Sequence, residues 1–203
     1  MHNSILEHSN NLIPFNGAAY YCPTFLPGAE SNELFHVLNS KVKWEHDKVT
    51  LFGKTHILDR KKAWFADNNL TYYYAGHENK ALNWIKELTD LKSRLNSQLG
   101  TSFNSCLLNY YENGEQGMGW HSDNEKELLQ NGSIASISLG VKRKFSFRNK
   151  VSKTVIDQYL DNGSLLLMQG EIQSYWDHTL RKSKKIKEPR INLTFRTIVS
   201  SAF

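Results

Sequence analysis

Short runs of strand-forming residues fill the second half of this chain, and they restrict its fold more than any other feature. The runs are 105–111, 134–139, 144–147, 164–168 and 191–199. Asn-Gly pairs at 113–114, 131–132 and 162–163 supply turn signals between them. Many short strands that follow helices are typical of two packed sheets. We therefore predict an α+β, mainly β fold with a double-stranded β-helix core, a jelly roll of the cupin-like kind.

Two helices are predicted before these strands. The first covers 29–38, where apolar residues recur at helical spacing and Ser31 is a candidate cap. The second covers 81–99, where leucines and Ile85 return every 3.6 residues and Gly100 stands at the position of a C-terminal cap. A helix with such a stripe packs flat on a sheet, so we expect helices on one outer face of the barrel.

The size of the chain sets the number of domains. Its 203 residues, 39% of them hydrophobic, suffice for one substantial core. We expect a single domain over 1–203, with an arm and helix at 1–45, a separate segment at 46–80, and the second helix with the jelly roll at 81–203. No stretch approaches the roughly 20 apolar residues of a membrane span. We therefore expect a soluble, intracellular protein that does not use a membrane. We also expect a monomer.

The charge distribution favours a polyanionic partner. Lysine plus arginine exceed aspartate plus glutamate by five (25 − 20), and the sequence pI is about 9.1. The basic residues gather in runs at 54–62, 142–150 and 181–187. Each run alone is typical of a solvated surface, but several runs near one predicted active site indicate a phosphate backbone as the partner.

One metal site is predicted from three residues that are distant in sequence. His121 and Asp123 are two residues apart, and this spacing places both side chains on the same side of a strand or its trailing turn. His178 is the best candidate for a third ligand, because a strand after the 162–163 turn returns across the barrel mouth. Two imidazoles and one carboxylate occupy one face of an octahedral Fe(II) and leave three positions for a bidentate keto acid and dioxygen.

The last predicted strand carries a polar face next to this site. Every second residue after Pro189 is polar, whereas Ile191, Leu193 and Phe195 between them are apolar. The polar residues are Arg190, Asn192, Thr194 and Arg196. The two arginines are about 20 Å apart along a strand that rises roughly 3.3 Å per residue. A short dicarboxylate that binds between their guanidinium forks fits this arrangement.

A set of motifs in this chain resembles one known family. The motifs are Asn109-Tyr110-Tyr111, Gly119-Trp120-His121-Ser122-Asp123, the run 134–140, Gly163-Ser164-Leu165-Leu166, His178, and Pro189-Arg190-x-Asn192-Leu193-Thr194-Phe195-Arg196. Together they resemble the AlkB family of 2-oxoglutarate and Fe(II) dependent dioxygenases, over roughly residues 50–200. The resemblance implies iron on His121, Asp123 and His178. It implies 2-oxoglutarate on Asn109, Tyr111, Arg190, Asn192, Thr194 and Arg196, with the two arginines on its two carboxylates.

The activity implied by this resemblance is DNA repair by oxidative demethylation. Alkylated bases such as 1-methyladenine and 3-methylcytosine would be restored by direct reversal, with succinate, carbon dioxide and formaldehyde as products. The implied partner is alkylated DNA, duplex and also single-stranded. Three alternatives stay open: an RNA or modified-nucleoside demethylase of the same family, a non-catalytic nucleic-acid binder, and a small-molecule oxygenase.

The segment 46–80 resembles the nucleotide-recognition lid of AlkB homologues that act on duplex DNA. The resemblance makes Phe52 a finger pushed into the base stack and Tyr74 a platform for the extruded base. An iron centre reaches a base nitrogen only after the base has been flipped out, and a wedge offsets part of that cost. The other substrate-binding residues expected here are Gly53, Lys54, which can contact a phosphate, Arg60, Tyr72 and Tyr73.

Two departures from the family pattern concern the base pocket. Asn124 and Glu125 follow the metal aspartate, where duplex-acting relatives commonly carry two acidic residues. The contact to the exocyclic amine of the base is therefore weaker or passes to Glu125. Tyr74 replaces a phenylalanine, and its hydroxyl needs a hydrogen-bond partner. Both changes leave the iron chemistry intact and bear on base preference.

Overall fold

The computed structural model describes residues 10–51, 54–67, 71–74 and 77–199, and for 49–51, 54, 71–74 and 77–80 it describes the backbone only. The elements in chain order are β1 (Ala18–Cys22), α1 (Gly28–Lys41), β2 (Glu45–Leu51), β3 (Lys54–Ala66), β4 (Thr71–Tyr74), β5 (His77–Lys80), α2 (Lys86–Leu99), β6 (Ser105–Tyr111), β7 (Met118–His121), β8 (Ile134–Gly140), β9 (Arg143–Asn149), β10 (Val155–Leu160), β11 (Ser164–Gln169), α3 (Ile172–Tyr175), β12 (Trp176–Leu180) and β13 (Arg190–Arg196).

The strands form two principal sheets, as predicted. The larger has seven strands in the order β1-β11-β8-β13-β6-β3-β2, and the smaller has four in the order β10-β9-β12-β7. The strand pairs of the described residues are antiparallel, and β13 lies between β8 and β6. Among the residues that the structure describes, β4 and β5 pair only with each other. The predicted α+β, mainly β jelly roll with two sheets is confirmed.

The two larger apolar clusters of the described residues hold the layers together. On the outer face of the large sheet, Ile191, Leu193 and Phe195 pack with the buried side of α2, including Leu88 and Leu95. A second cluster joins residues of the two sheets, among them Leu166, Met168, Phe147 and Trp176. The expected helices on one outer face are therefore present, because α1 also contributes Leu38 to the first cluster.

The ends of both helices differ from the prediction. Pro27, not Ser31, occupies the N-cap of α1, and Ser31 is buried in the first turn with its Oγ donating to the Gly28 carbonyl at 3.0 Å. The second helix starts at Lys86 instead of 81, because Leu82 is extended: it forms a β-bridge with Phe65, and its N–H donates to the Trp64 carbonyl at 2.8 Å. Its predicted end is correct, because Gly100 caps it in the left-handed region at φ 63°.

All five predicted strand runs are present, and the last ends at Arg196 rather than 199. The predicted runs did not include β1 to β5, β7, β10 or β12. Within the segment 46–80, β2 and β3 continue the large sheet, because β3 pairs with β6 from Lys61 opposite Tyr110 to Ala66 opposite Ser105. None of the helices in the described part of the chain is long and apolar enough to cross a membrane.

Candidate metal centre and co-substrate pocket

Two neighbouring strands of the small sheet bring the three predicted ligands together. His121 ends β7, and its Cα partner across the sheet is His178 of β12. Asp123 follows β7 by two residues, and its Oδ1 lies 3.7 Å from His121 Nε2 and 4.0 Å from His178 Nε2. The ligand atoms of all three residues lie within 4.8 Å of one another. Residues 55 positions apart in sequence thus face one point.

The protonation states of these residues suit a divalent cation. His121 Nδ1 lies 2.9 Å from the Gly119 carbonyl, to which it can only donate, so in the neutral ring Nε2 carries the lone pair. Burial lowers the pKa of His178 to about 3, against the opposing pull of Asp123. Burial alone would raise the pKa of Asp123, but Arg196 and the two imidazoles outweigh it and lower that pKa to about 2. Neutral imidazoles and an ionised carboxylate are the forms that bind metal.

Neighbouring side chains fix the orientation of Asp123. Arg196 Nη2 donates to Asp123 Oδ2 at 2.6 Å, which leaves Oδ1 for the two histidines. The Asp123 N–H donates to Gln173 Oε1 at 2.9 Å. Lys150 Nζ donates to Ser122 Oγ at 3.0 Å and to the Gln173 carbonyl at 2.8 Å. Gln173 and Lys150 were missed, because no local pattern links α3 or the end of β9 to the residue after β7.

The polar face of β13 lines a pocket next to the three ligands. Arg190, Asn192, Thr194 and Arg196 line it, together with Asn109 and Tyr111 of β6. The predicted alternation is confirmed, because the residues between them are fully buried on the helix side. Residues that the sequence prediction missed complete the lining: Leu107, Met118, Ser136, Phe145, Met168 and Leu180. Ser136 and Ser138 were detectable in principle, since they are the polar positions of an otherwise apolar β8.

The end of the pocket away from the metal ligands carries a buried guanidinium with neutral partners. Arg190 Nη2 donates to Ser138 Oγ at 2.8 Å and to Asn192 Oδ1 at 2.6 Å. Its Nε is buried without a hydrogen-bond partner among the described residues. Burial lowers the pKa of Arg190 to about 10. A carboxylate placed there would satisfy the nitrogen and offset the buried charge, so the pocket fits a dicarboxylate with Arg190 at one end and Arg196 at the other.

Two arginines expected to face nucleic acid are placed elsewhere. Arg60 pairs with the buried Asp47, and only 10% of its side chain is exposed. Arg143, within the run 142–150, is also buried. Lys142 and Lys144 beside it form ion pairs at 2.7 Å with Asp161 and Asp157. These corrections have one physical reason, which is that nearby acceptors in the fold compete with solvent for the cations. The run 181–187 differs, because its arginine and four lysines are exposed.

The predicted substrate residues are only partly described. Asn124 and Glu125 line a wide pocket that opens beside Asp123 and Arg196. Glu125 Oε2 is buried there without a hydrogen-bond partner in the described part of the chain. Phe52 and Gly53 lie outside the described residues. Lys54 of β3 and Tyr72, Tyr73 and Tyr74 of β4 are placed by their backbone only, and their substrate contacts stay predictions.

Comparison with known proteins identifies the family. The family model of the 2OG-Fe(II) oxygenase superfamily matches residues 18–196. DNA oxidative demethylase ALKBH2 is 37% identical over 182 residues in Bos taurus and 36% in Homo sapiens; the match covers 84% of this chain and 66% and 70% of those proteins. The chain belongs to the AlkB family of 2OG-Fe(II) oxygenases.

Other relatives agree with this assignment. Alpha-ketoglutarate-dependent dioxygenase alkB homolog 3 of Bos taurus is 35% identical over 186 residues, which are 87% of this chain and 65% of that protein. The chain thus spans about two thirds of the length of these curated relatives. A solved structure of OsALKBH1 superposes with a TM-score of 0.63 at 15% identity, covering 91% of this chain and 99% of that one, and it shares the fold. Fe(II) and 2-oxoglutarate are the metal and co-substrate of the family.

Proposed function

We propose that this chain is a DNA repair dioxygenase that demethylates alkylated bases by direct reversal. Its lesions would include 1-methyladenine and 3-methylcytosine. The observation that carries the proposal is the convergence of His121, Asp123 and His178 beside a pocket with an arginine at each end. The relatives named DNA oxidative demethylase support DNA as the substrate.

Some residues of the pocket would bind the metal and others would bind the co-substrate. Fe(II), 2-oxoglutarate and dioxygen together supply the oxidising power that hydroxylates a methyl group on a base nitrogen. His121, Asp123 and His178 would hold the iron. Arg190 and Arg196 would hold the two carboxylates of 2-oxoglutarate. The neutral residues that would orient it between them are Asn109, Tyr111, Asn192 and Thr194.

The surface of the chain offers a cationic segment for a phosphate backbone. Arg181, Lys182, Lys184, Lys185 and Lys187 are exposed, in contrast to the cations at 60–62 and 142–144, which are buried or paired. This basic segment directly follows β12, which carries His178. We expect it to contact the backbone of the DNA whose base enters the pocket, with an affinity that falls as salt is added.

The base itself would leave the duplex before it reacts. Phe52 would fill the vacated gap, and Tyr74 would stack on the extruded base, with Glu125 available to its exocyclic amine. We further propose that 1–203 acts as one domain and as a monomer inside the cell. The family match over 18–196 spans both sheets and supports the single domain.

Mass spectrometry of a methylated duplex tests the proposal. The duplex carries one 1-methyladenine or 3-methylcytosine and is incubated with protein, Fe(II), 2-oxoglutarate and oxygen. We expect conversion to the unmodified base together with formaldehyde and succinate. Omission of 2-oxoglutarate or an Asp123→Ala substitution should abolish the conversion. Succinate production without loss of the methyl group from any nucleic acid would contradict the proposed substrate.

The rival substrates are tested in the same assay. Methylated RNA and DNA oligonucleotides of one sequence are offered side by side, and we expect faster turnover of DNA. Faster turnover of RNA would favour the RNA demethylase. A non-catalytic binder would produce no succinate even in the uncoupled reaction, and its metal ligands would be dispensable for nucleic-acid binding.

A further inference from the structure

Arg143, the first residue of β9, is a buried charge that the site described above does not use. Its side chain is among the largest that are fully buried, with 1% of the residue exposed. Its hydrogen-bond acceptors among the described residues are all main-chain carbonyls, of Asn113, Gly114, Gln116 and Arg181, at 2.7–3.5 Å. No carboxylate pairs with it within the described residues. Burial of a cation without a counter-ion costs free energy, so the presence of an arginine at this position needs an explanation.

Part of that reason is mechanical. The turn after β6 packs against the segment after β12, where the Ser183 N–H donates to the Gly114 carbonyl at 2.7 Å. A Cβ at Gly114 would lie 2.1 Å from the Ser183 carbonyl oxygen, so only glycine fits there. Arg143 donates to carbonyls of both segments and ties them to β9. This role explains the contacts of Nη1 and Nη2 but not the charge, because neutral donors satisfy carbonyls as well. It also leaves Nε buried without a partner among the described residues.

The position of the charge supplies the rest. The guanidinium carbon of Arg143 lies 5.9 Å from the centre of the Tyr111 ring, and that of Arg190 lies 5.7 Å from the same ring. Two buried guanidinium groups therefore flank one pocket residue. Arg60 and Asp47 also act on Tyr111, but Asp47 forms ion pairs with both Arg60 and Lys62. Arg143 and Arg190 differ from them, because neither has a carboxylate partner among the described residues.

We propose that Arg143 is a positioning residue for the co-substrate: its charge behind Tyr111 strengthens binding of the distal carboxylate that Arg190 contacts. The proposal rests on 2-oxoglutarate use by this site. The two guanidinium groups repel each other, and a carboxylate beside Arg190 offsets that repulsion. Selectivity for a dicarboxylate over a monocarboxylate keto acid then depends on two arginines, only one of which touches the ligand.

Calorimetric titration of the Mn(II)-loaded protein tests this role without turnover. The ligands are 2-oxoglutarate and 2-oxopentanoate, which has a methyl group in place of the distal carboxylate. The dissociation constant of 2-oxopentanoate divided by that of 2-oxoglutarate measures how much the distal carboxylate contributes to binding. Arg143→Gln removes the charge and keeps two amide donors, whereas Arg143→Lys keeps the charge. We expect Arg143→Gln to lower the ratio about tenfold, the effect of a unit charge roughly 10 Å away at an effective dielectric constant of about 20. Arg143→Lys should keep most of the wild-type ratio.

Several results would overturn the proposal. If both substitutions weaken the binding of both keto acids equally, Arg143 has a purely mechanical role. An unchanged ratio in Arg143→Gln would show that the charge has no effect on binding of the distal carboxylate. If Arg143→Gln does not fold, Arg190→Met replaces it as the test, because this variant keeps Arg143. It must still prefer 2-oxoglutarate over 2-oxopentanoate, and a ratio of one contradicts the proposal. A wild-type protein that binds neither keto acid would refute the proposed function as well, whereas normal binding with the wrong ratios refutes this inference alone.

Discussion

Replacement of Asp47 by alanine should destabilise the protein strongly. Asp47 is 2% exposed and accepts from Arg60 through Oδ2 and from Lys62 Nζ through Oδ1, the latter at 2.8 Å. Arg60 and Lys62 are two residues apart on β3 and share a face. Removal of the carboxylate leaves two cations side by side, with only 10% and 19% of their side chains exposed. The pair lies where β2 joins the large sheet, so its loss affects the edge of that sheet.

The expected loss follows from the burial of the pair. Breaking a buried ion pair by removal of one partner costs about 3–5 kcal/mol. Since both cations keep some access to water, the lower value of about 3 kcal/mol applies. One kcal/mol shifts Tm by roughly 2–4 °C for a domain of this length, so the expected fall is about 6–12 °C.

Thermal unfolding followed by circular dichroism and by calorimetry measures this loss. Lys61→Ala is the matched control, because Lys61 pairs with Glu112 at 2.6 Å on the surface, with 30% and 47% of their side chains exposed. Such an exposed pair contributes at most about 1 kcal/mol. Arg60→Met added to Asp47→Ala should restore part of the stability. An Asp47→Ala variant no less stable than the control would refute the structural role of Arg60 and return it to the candidates for DNA binding.

Three further predictions concern DNA and metal binding. Phe52→Ala should slow demethylation of duplex more than of single-stranded substrate, and equal losses would exclude a wedge. The double substitution Lys184→Ala and Lys185→Ala should weaken DNA binding. It should reduce the magnitude of the slope of log K against log salt concentration by about 1.8 if both lysines contact phosphates. An unchanged slope would exclude the basic segment as a site of phosphate contact. Gln173→Ala should weaken metal binding about tenfold, because Gln173 fixes the backbone of Asp123, and unchanged metal affinity would show that Arg196 alone suffices.

The parts of the molecule that the sequence predicts are those governed by local periodicity and by motif spacing. The two-residue period of β13 assigns Arg190 to the pocket and Ile191 to the core, because side chains alternate across a strand. The 3.6-residue period places the leucines of α2 on the sheet, and Gly100 marks the end of that helix since it adopts a positive φ. The spacing of His121 and Asp123 likewise brings both to one side.

The parts that the sequence does not predict depend on partners supplied by the tertiary fold. Arg60 and Arg143 look like surface cations in the sequence, but one meets Asp47 and the other meets four carbonyls brought together by the packing of two loops. Gln173 reaches Asp123 only through the short helix before β12. The sequence predicts too early a start for α2, because Leu82 has the right spacing for the helix but is extended in a β-bridge with Phe65.

Anaerobic titration of Fe(II) into the metal-free protein tests the central claim most directly. The wild-type chain should bind one Fe(II), and His178→Ala should lose that binding, because it removes a buried ligand from the opposite strand. His36, on α1, provides the control, since His36→Ala should bind as the wild type does. Undiminished binding of one Fe(II) by His178→Ala would contradict the account, as would a wild-type protein that binds no Fe(II).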